Sequence, residues 1–233
     1  GQHDGAGGCR GSEQDLAGAG RAMSSNMTFG LFAGASIVFV LLVWLWIERL
    51  AHRREMFIRS ADFPRGLFDR LRKRHPNLSA KDCHLVAKGL RQFFLAYLKS
   101  GRQFVAMPSQ VVDDLWHEFI LYTKNYDLYC RRAFGGFLHH TPAVVLSSSK
   151  RTNTGLRRCW WYACKEENIN PHAALRLPLL FALDTKLGIP GGFRYLPDCT
   201  SERSRGDGDS GSSHCGGDFS DSAHDGGTDG FGD

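Results

Sequence analysis

None of the seven cysteines forms a C-x-x-C pair. A zinc ribbon and a thioredoxin-type redox motif are therefore excluded. Cys159 and Cys164 stand five apart, a poor spacing for zinc, and both read as helix-packing residues. No run of alternating apolar and polar residues is long enough to establish a sheet. The turn-like segment Gly188 to Tyr195 (GIPGGFRY) lacks the G-x-G-x-x-G or G-K-[ST] of a phosphate loop, so nucleotide binding has little support there. No nucleic-acid recognition motif accompanies the basic residues, and no nucleic-acid partner is expected.

Charge is missing altogether from Thr28 to Ile47, TFGLFAGASIVFVLLVWLWI. Twenty such residues span roughly 30 Å as a helix, the thickness of a bilayer's hydrocarbon core. The apolar region of a cleaved signal peptide is only about 7 to 15 residues and ends in small residues, whereas this run leads into Trp44, Trp46, Glu48 and Arg49. An uncleaved single-pass anchor is expected. From Arg49 to Arg74 there are nine Lys or Arg against Glu55, Asp62 and Asp69. The positive-inside bias then puts the N-terminus outside and the following domain in the cytoplasm, with the cysteines reduced. Arg49, Arg53 and Arg54 are candidates for anionic lipid headgroups, a solvated amphipathic helix being the plainer account.

The rest divides by composition. Residues 1–27 are a Gly- and Ala-rich lead expected to be disordered, and 48–61 a basic juxtamembrane linker. Residues 62–200 form a compact, mostly α domain, and 201–233 a Gly/Ser/Asp-rich tail with 8 acidic and 2 basic residues, also expected to be disordered and dispensable for folding. In the domain, the spacing predicts helices over Phe63 to Arg74 with Pro64 in the first turn, and from a Ser79-Ala-Lys-Asp82 capping box to Ser100. A third runs from Pro108-Ser109 to Phe134, a fourth is capped by Asn153 or Thr154, and a fifth starts at Pro171.

The chemistry-bearing stretch is Met107 to Pro142. Its apolar stripe is Val112, Leu115, Trp116, Phe119, Thr123, Tyr126, Cys130 and Phe134, with Asp113 and His117 one turn apart on its flank and Glu118 beside them. Asp113 is placed to orient the His117 imidazole or to share a metal with it. Cys130 lies thirteen positions from His117, roughly 20 Å along an unbroken helix, so the two are not co-ligands. His139 or His140 reaches His117 only if the helix breaks, and Thr123-Lys-Asn suits such a break. The candidate pocket is Asp113, Trp116, His117, Tyr126 and Cys130; the candidate metal ligands are His117, His139 and His140, with zinc the first metal to consider. His214, Cys215 and His224 in the tail are a weaker metal candidate.

These residues carry a resemblance. V-D-x-x-W-H followed by Y-x-x-x-C (Val112-Asp113, Trp116-His117, Tyr126, Cys130), with F-G-x-F-x-H-H-x-P (Phe134 to Pro142) and L-P-L-L-F-x-L-D-x-x-L-x-I-P-G-G (Leu177 to Gly192), resembles the bacterial form of the glycine-rich domain protein-like family. It covers about Pro108 to Tyr195 and implies no established reaction. Two functional expectations follow from the residues. One is a membrane-anchored binding or scaffold module, with the histidines in buried hydrogen bonds and Trp116, Trp160 and Trp161 packing or docking a protein partner. The other is a metal-dependent enzyme, such as a hydrolase, using His117 with His139 or His140 and Asp113 or Glu118 as base.

Overall fold

The computed structural model describes residues 12–140, 150–197 and 214–215, with side chains over 34–140 and 153–197. The chain divides into two compact units, residues 1–53 and 54–233.

The first unit is the larger part of helix α1 (Ser12–Ser60). Ala, Leu, Met, Glu and Arg favour a helix, and no proline occurs between Ser12 and Ser60. The stretch expected to be a disordered lead is accordingly helical from Ser12, and the expected linker is helical through Ser60; residues 1–11 lie outside the described residues. Within Gly34–Ser60 an 18-residue window reaches a mean hydropathy of 1.8, and no residue of that window is buried, Phe39 being 67% and Trp46 65% exposed. Among the described residues this is the one helix long and apolar enough to cross a membrane, and it has the length and composition of either an anchor or a signal sequence.

The second unit begins earlier than composition suggests, because the end of α1 supplies buried Ile58 and half-buried Phe57 to its core. It is helical: α2 (Leu67–Arg74), α3 (Ala80–Lys99), α4 (Gln110–Ile120), α5 (Thr123–Phe134), α6 (Lys150–Glu166) and α7 (Leu179–Lys186). Helix α3 is central and packs against α2, α4, α6 and α7. Its Ser79–Asp82 capping box forms as expected, and Val86, Leu90, Phe93 and Phe94 face the core. Gly89 lets α3 approach closely: a Cβ there would collide with Leu183 and lie 3.1 Å from Val112 Cγ2.

Three boundaries differ from expectation, each for a local reason, and one break falls beside the place considered for it. Helix α2 starts at Leu67 rather than Phe63, because Gly66 takes φ 80° and frees Phe63 to pack edge-on against Phe119 at 5.3 Å. The long third segment breaks at Leu121-Tyr122, beside the break that Thr123-Lys-Asn suits, giving α4 and α5, so that Phe119, Tyr126 and Tyr129 all turn inward. Helix α6 begins at Lys150, before Asn153 and Thr154, since Lys and Arg extend a helix readily. Pro171 starts no helix: Asn170 accepts from the His172 N–H through Oδ1 and from the Ala173 N–H through its carbonyl, holding a turn, and α7 starts after Pro178.

The only strands among the described residues are β1 (Tyr195–Leu196) and β2 (His214–Cys215), paired in parallel with Tyr195 opposite His214. The expected disordered tail otherwise lies outside the described residues, as does His224.

Candidate functional site

Helix α4 presents the site, and its first turn is held from two sides. Ser109 Oγ accepts from the Val112 N–H at 3.4 Å and donates to Asp184 Oδ1 at 2.7 Å. Asp184, on α7 and 3% exposed, also accepts from the backbone N–H groups of Gln110 (2.7 Å), Val111 (3.2 Å) and Phe193 (2.9 Å). A carboxylate on the unpaired N–H groups of a helix start satisfies both hydrogen bonding and the helix dipole. Gly192 permits this approach, since a Cβ there would fall 2.7 Å from Asp184 Cβ.

Asp113 and His117 follow one turn apart, with Asp113 Oδ2 and His117 Nδ1 separated by 3.6 Å. The chain returns to them after α5. Gly135 ends α5 at φ 78° and reverses it, its missing side chain making room for the Arg54 guanidinium. Tyr126 then fixes the return strand: its hydroxyl donates to the Leu138 carbonyl at 2.6 Å and accepts from Trp116 Nε1 at 3.0 Å. His140 is thereby set edge-on to Trp116, ring centroids 4.5 Å apart, with Nε2 2.9 Å from Asp113 Oδ1. The His117 and His140 rings lie 4.2 Å apart.

The structure thus brings together Asp113, His117 and His140, whose potential ligand atoms all lie within 4.8 Å of one another. His139 does not join them. It is exposed and packs on Phe137 at 4.8 Å, because Leu138 is buried and successive side chains in an extended segment alternate. The other candidate residues are structural. Trp116, Tyr126 and Cys130 are buried in the core, and burial pushes the Cys130 thiol and the Tyr126 hydroxyl above their ordinary values, so both stay protonated. Glu118 pairs with Arg70 at 2.6 Å and is not free to act as a base. Trp160 is buried, its indole N–H donating to the Pro171 carbonyl at 3.0 Å, while half-buried Trp161 has Lys165 Nζ 5.1 Å from its ring centroid. Cys159 and Cys164 are both buried, the latter pushed up to about 12 by desolvation. Arg49 and Arg53 are exposed, but Arg54 is half-buried against Gly135.

Sequence reasoning missed several polar residues. Buried Asp114 holds Arg74 Nη1 at 2.6 Å and His75 Nε2 at 2.8 Å. Buried Gln92 joins Glu167 at 2.8 Å, and both accept from the first N–H groups of α7. Glu55, Arg59, Lys99 and Glu166 form one ion-pair network. The signal for Asp184 was present in the L-D-x-x-L-x-I-P-G-G run. Also unforeseen is an open groove of about 220 Å³ lined by Phe57, Phe119, Leu128 and Tyr129, with Asp62 and Arg132 among its polar residues.

Fold and site together define a helical domain that gathers two imidazoles and a carboxylate at one helix flank. The chain belongs to the UCP032817-like family, which matches residues 53–219. That match corrects the likeness to the glycine-rich domain proteins: the family is an uncharacterised one and not a glycine-rich domain protein family. Its extent takes in the end of α1 and both strands. No curated protein and no solved structure matches the chain.

Proposed function

We propose that this protein is a single-pass membrane protein whose helical domain is a binding module for a protein partner. The observation that carries the binding reading is the groove of about 220 Å³ beside Leu128. Small-molecule sites usually have about 300 to 1,000 Å³, so this one suits a single apolar side chain of a partner better than a cofactor. Its aromatic floor supplies apolar area, and exposed Arg132 at its edge supplies a cation for a neighbouring acidic residue. Leu128, half exposed, is the natural anchor at its rim.

Retention of the apolar helix rests on its 20 charge-free residues, which exceed a signal-peptide core, and the basic flank favours an outside N-terminus and a cytoplasmic domain. Exposed Arg49 and Arg53 are the side chains available to anionic headgroups. The test is a photocrosslinking residue at position 128 of the full chain in its native membrane. A discrete protein adduct, absent with the crosslinker at exposed Lys88 and lost on Arg132→Glu, is expected. No adduct at 128, or equal labelling at 88, refutes the binding reading. Reporters at residues 20 and 200 test the topology separately, and an exported reporter at 200 refutes it.

A further inference from the structure

We propose that Asp113, His117 and His140 form a mononuclear site for a zinc-type divalent cation. The proposal does not depend on the groove or on membrane anchoring.

Three observations carry it. The first is the ligand set: two imidazoles and one carboxylate is a composition used by zinc and by related borderline metals, with coordination positions left over. The second is spacing. Ligands held at about 2.1 Å in a tetrahedron stand roughly 3.4 Å from one another. The carboxylate atoms are 2.9 Å from His140 Nε2 and 3.6 Å from His117 Nδ1, and all three groups fall within 4.8 Å. The third is that hydrogen bonding does not account for His117. At 3.6 Å from Asp113 its Nδ1 is beyond hydrogen-bond range, and among the described residues no hydrogen bond to its ring is formed. A purely structural cluster would need only His140 and Asp113.

The surroundings suit a held but accessible metal. Trp116, buried, walls His140, and the Trp116–Tyr126–Leu138 hydrogen bonds hold the segment that carries it. The His140 and Asp113 side chains are 11% and 18% exposed, whereas His117 is 43% exposed, so the open side of the site lies at His117. Water or an anionic ligand would complete the coordination from that side. With His140 Nε2 and His117 Nδ1 facing the carboxylate, those are the nitrogens that bind.

The test is metal analysis of the full chain in detergent, after zinc loading and desalting, with cobalt(II) as a spectroscopic probe. About one zinc per chain is expected, together with a visible cobalt absorption of nitrogen–oxygen type lacking any thiolate band. His117→Ala, on an exposed helix flank, should lower bound zinc at least tenfold and abolish the cobalt band while the helical signal stays unchanged. His139→Ala should retain both. Failure of the parent to hold zinc or to develop the cobalt band overturns the site, as does full retention of metal by His117→Ala. If a His214→Ala, Cys215→Ala and His224→Ala variant loses the metal instead, the site is in the tail and the proposal is wrong.

Discussion

Replacing Asp184 tests how the structure holds the start of α4, the helix that carries Asp113 and His117. Its carboxylate is buried and accepts from the Ser109 hydroxyl and from the N–H groups of Gln110, Val111 and Phe193 at 2.7 to 3.2 Å. Asp184→Ala leaves these donors facing a cavity that admits little solvent. Each buried donor left without its acceptor costs about 1 to 3 kcal/mol, and with partial relaxation of the four donors the loss here should be about 4 kcal/mol. At roughly 2 to 4 °C per kcal/mol for a domain of this size, Tm should fall by about 8 to 16 °C. Asp184→Asn keeps one acceptor oxygen and should cost about 2 kcal/mol. Ser109→Ala removes the other cap and should cost about 1 kcal/mol. Near-ultraviolet circular dichroism of the full chain in detergent reports packed tryptophans such as Trp116 and Trp160, and with Trp44 and Trp46 of α1 replaced by Phe it follows the domain without a tryptophan signal from α1. A Tm within 2 °C of the parent for Asp184→Ala would refute the capping argument.

Three further outcomes are expected. Gly89→Ala forces a methyl group against Leu183 and within 3.1 Å of Val112, so despite alanine's better helix propensity the domain should lose about 1 to 2 kcal/mol; an unchanged denaturation midpoint would show that α3 and α7 can separate freely. Tyr126→Phe strands the Trp116 indole N–H and the Leu138 carbonyl, which should cost about 1 to 3 kcal/mol and speed hydrogen exchange at 137 to 140, where equal exchange would sink the idea. Glu166 and Glu167 lie below their ordinary value of 4.5, because burial, which alone would raise them, is outweighed by Arg59 and Lys99 for the first and by Arg176, Gln92 and the Leu179 N–H for the second. Their folded values being depressed, the stability they confer is complete above about pH 4.5 and is lost as pH falls through the lower folded values, so Tm should drop between about pH 5 and 3 and stay flat if these pairs contribute nothing.

What was legible in the sequence was whatever one helix face decides by itself. Ser79 with Asp82 announces a cap whose geometry is local, and the stripe Val112, Leu115, Trp116, Phe119 is fixed by helical periodicity. The boundaries that moved depend on contacts made elsewhere in the chain. Pro64 reads as a first-turn proline until Gly66 turns left-handed to seat Phe63 on Phe119; Pro171 reads as a helix start until Asn170 closes a turn over it. Within the site, Asp113 and His117 were legible as neighbours one turn apart. The choice between His139 and His140 was not, because it depends on Leu138 being drawn inward by the Tyr126 hydroxyl, after which alternation sends 139 out and 140 towards Asp113.

In V-D-x-x-W-H with Y-x-x-x-C, the positions Val112, Trp116, Tyr126 and Cys130 are all buried, and in the Leu177 to Gly192 run Asp184 and Gly192 serve to anchor the start of α4. Such blocks describe how helices pack and are capped, so two chains with similar helical packing can share them without sharing a family. Only Asp113 and His117 in the first block reach the surface, and the packing demands neither. Asp113 is used by His140, and His117 by nothing that a hydrogen bond explains among the described residues. A core position that changes must be compensated within the core, whereas His117 is free to change at little cost to the fold. Its chemistry is therefore separable from stability, and loss of metal with an intact fold in His117→Ala would show that this helix flank has a role beyond packing.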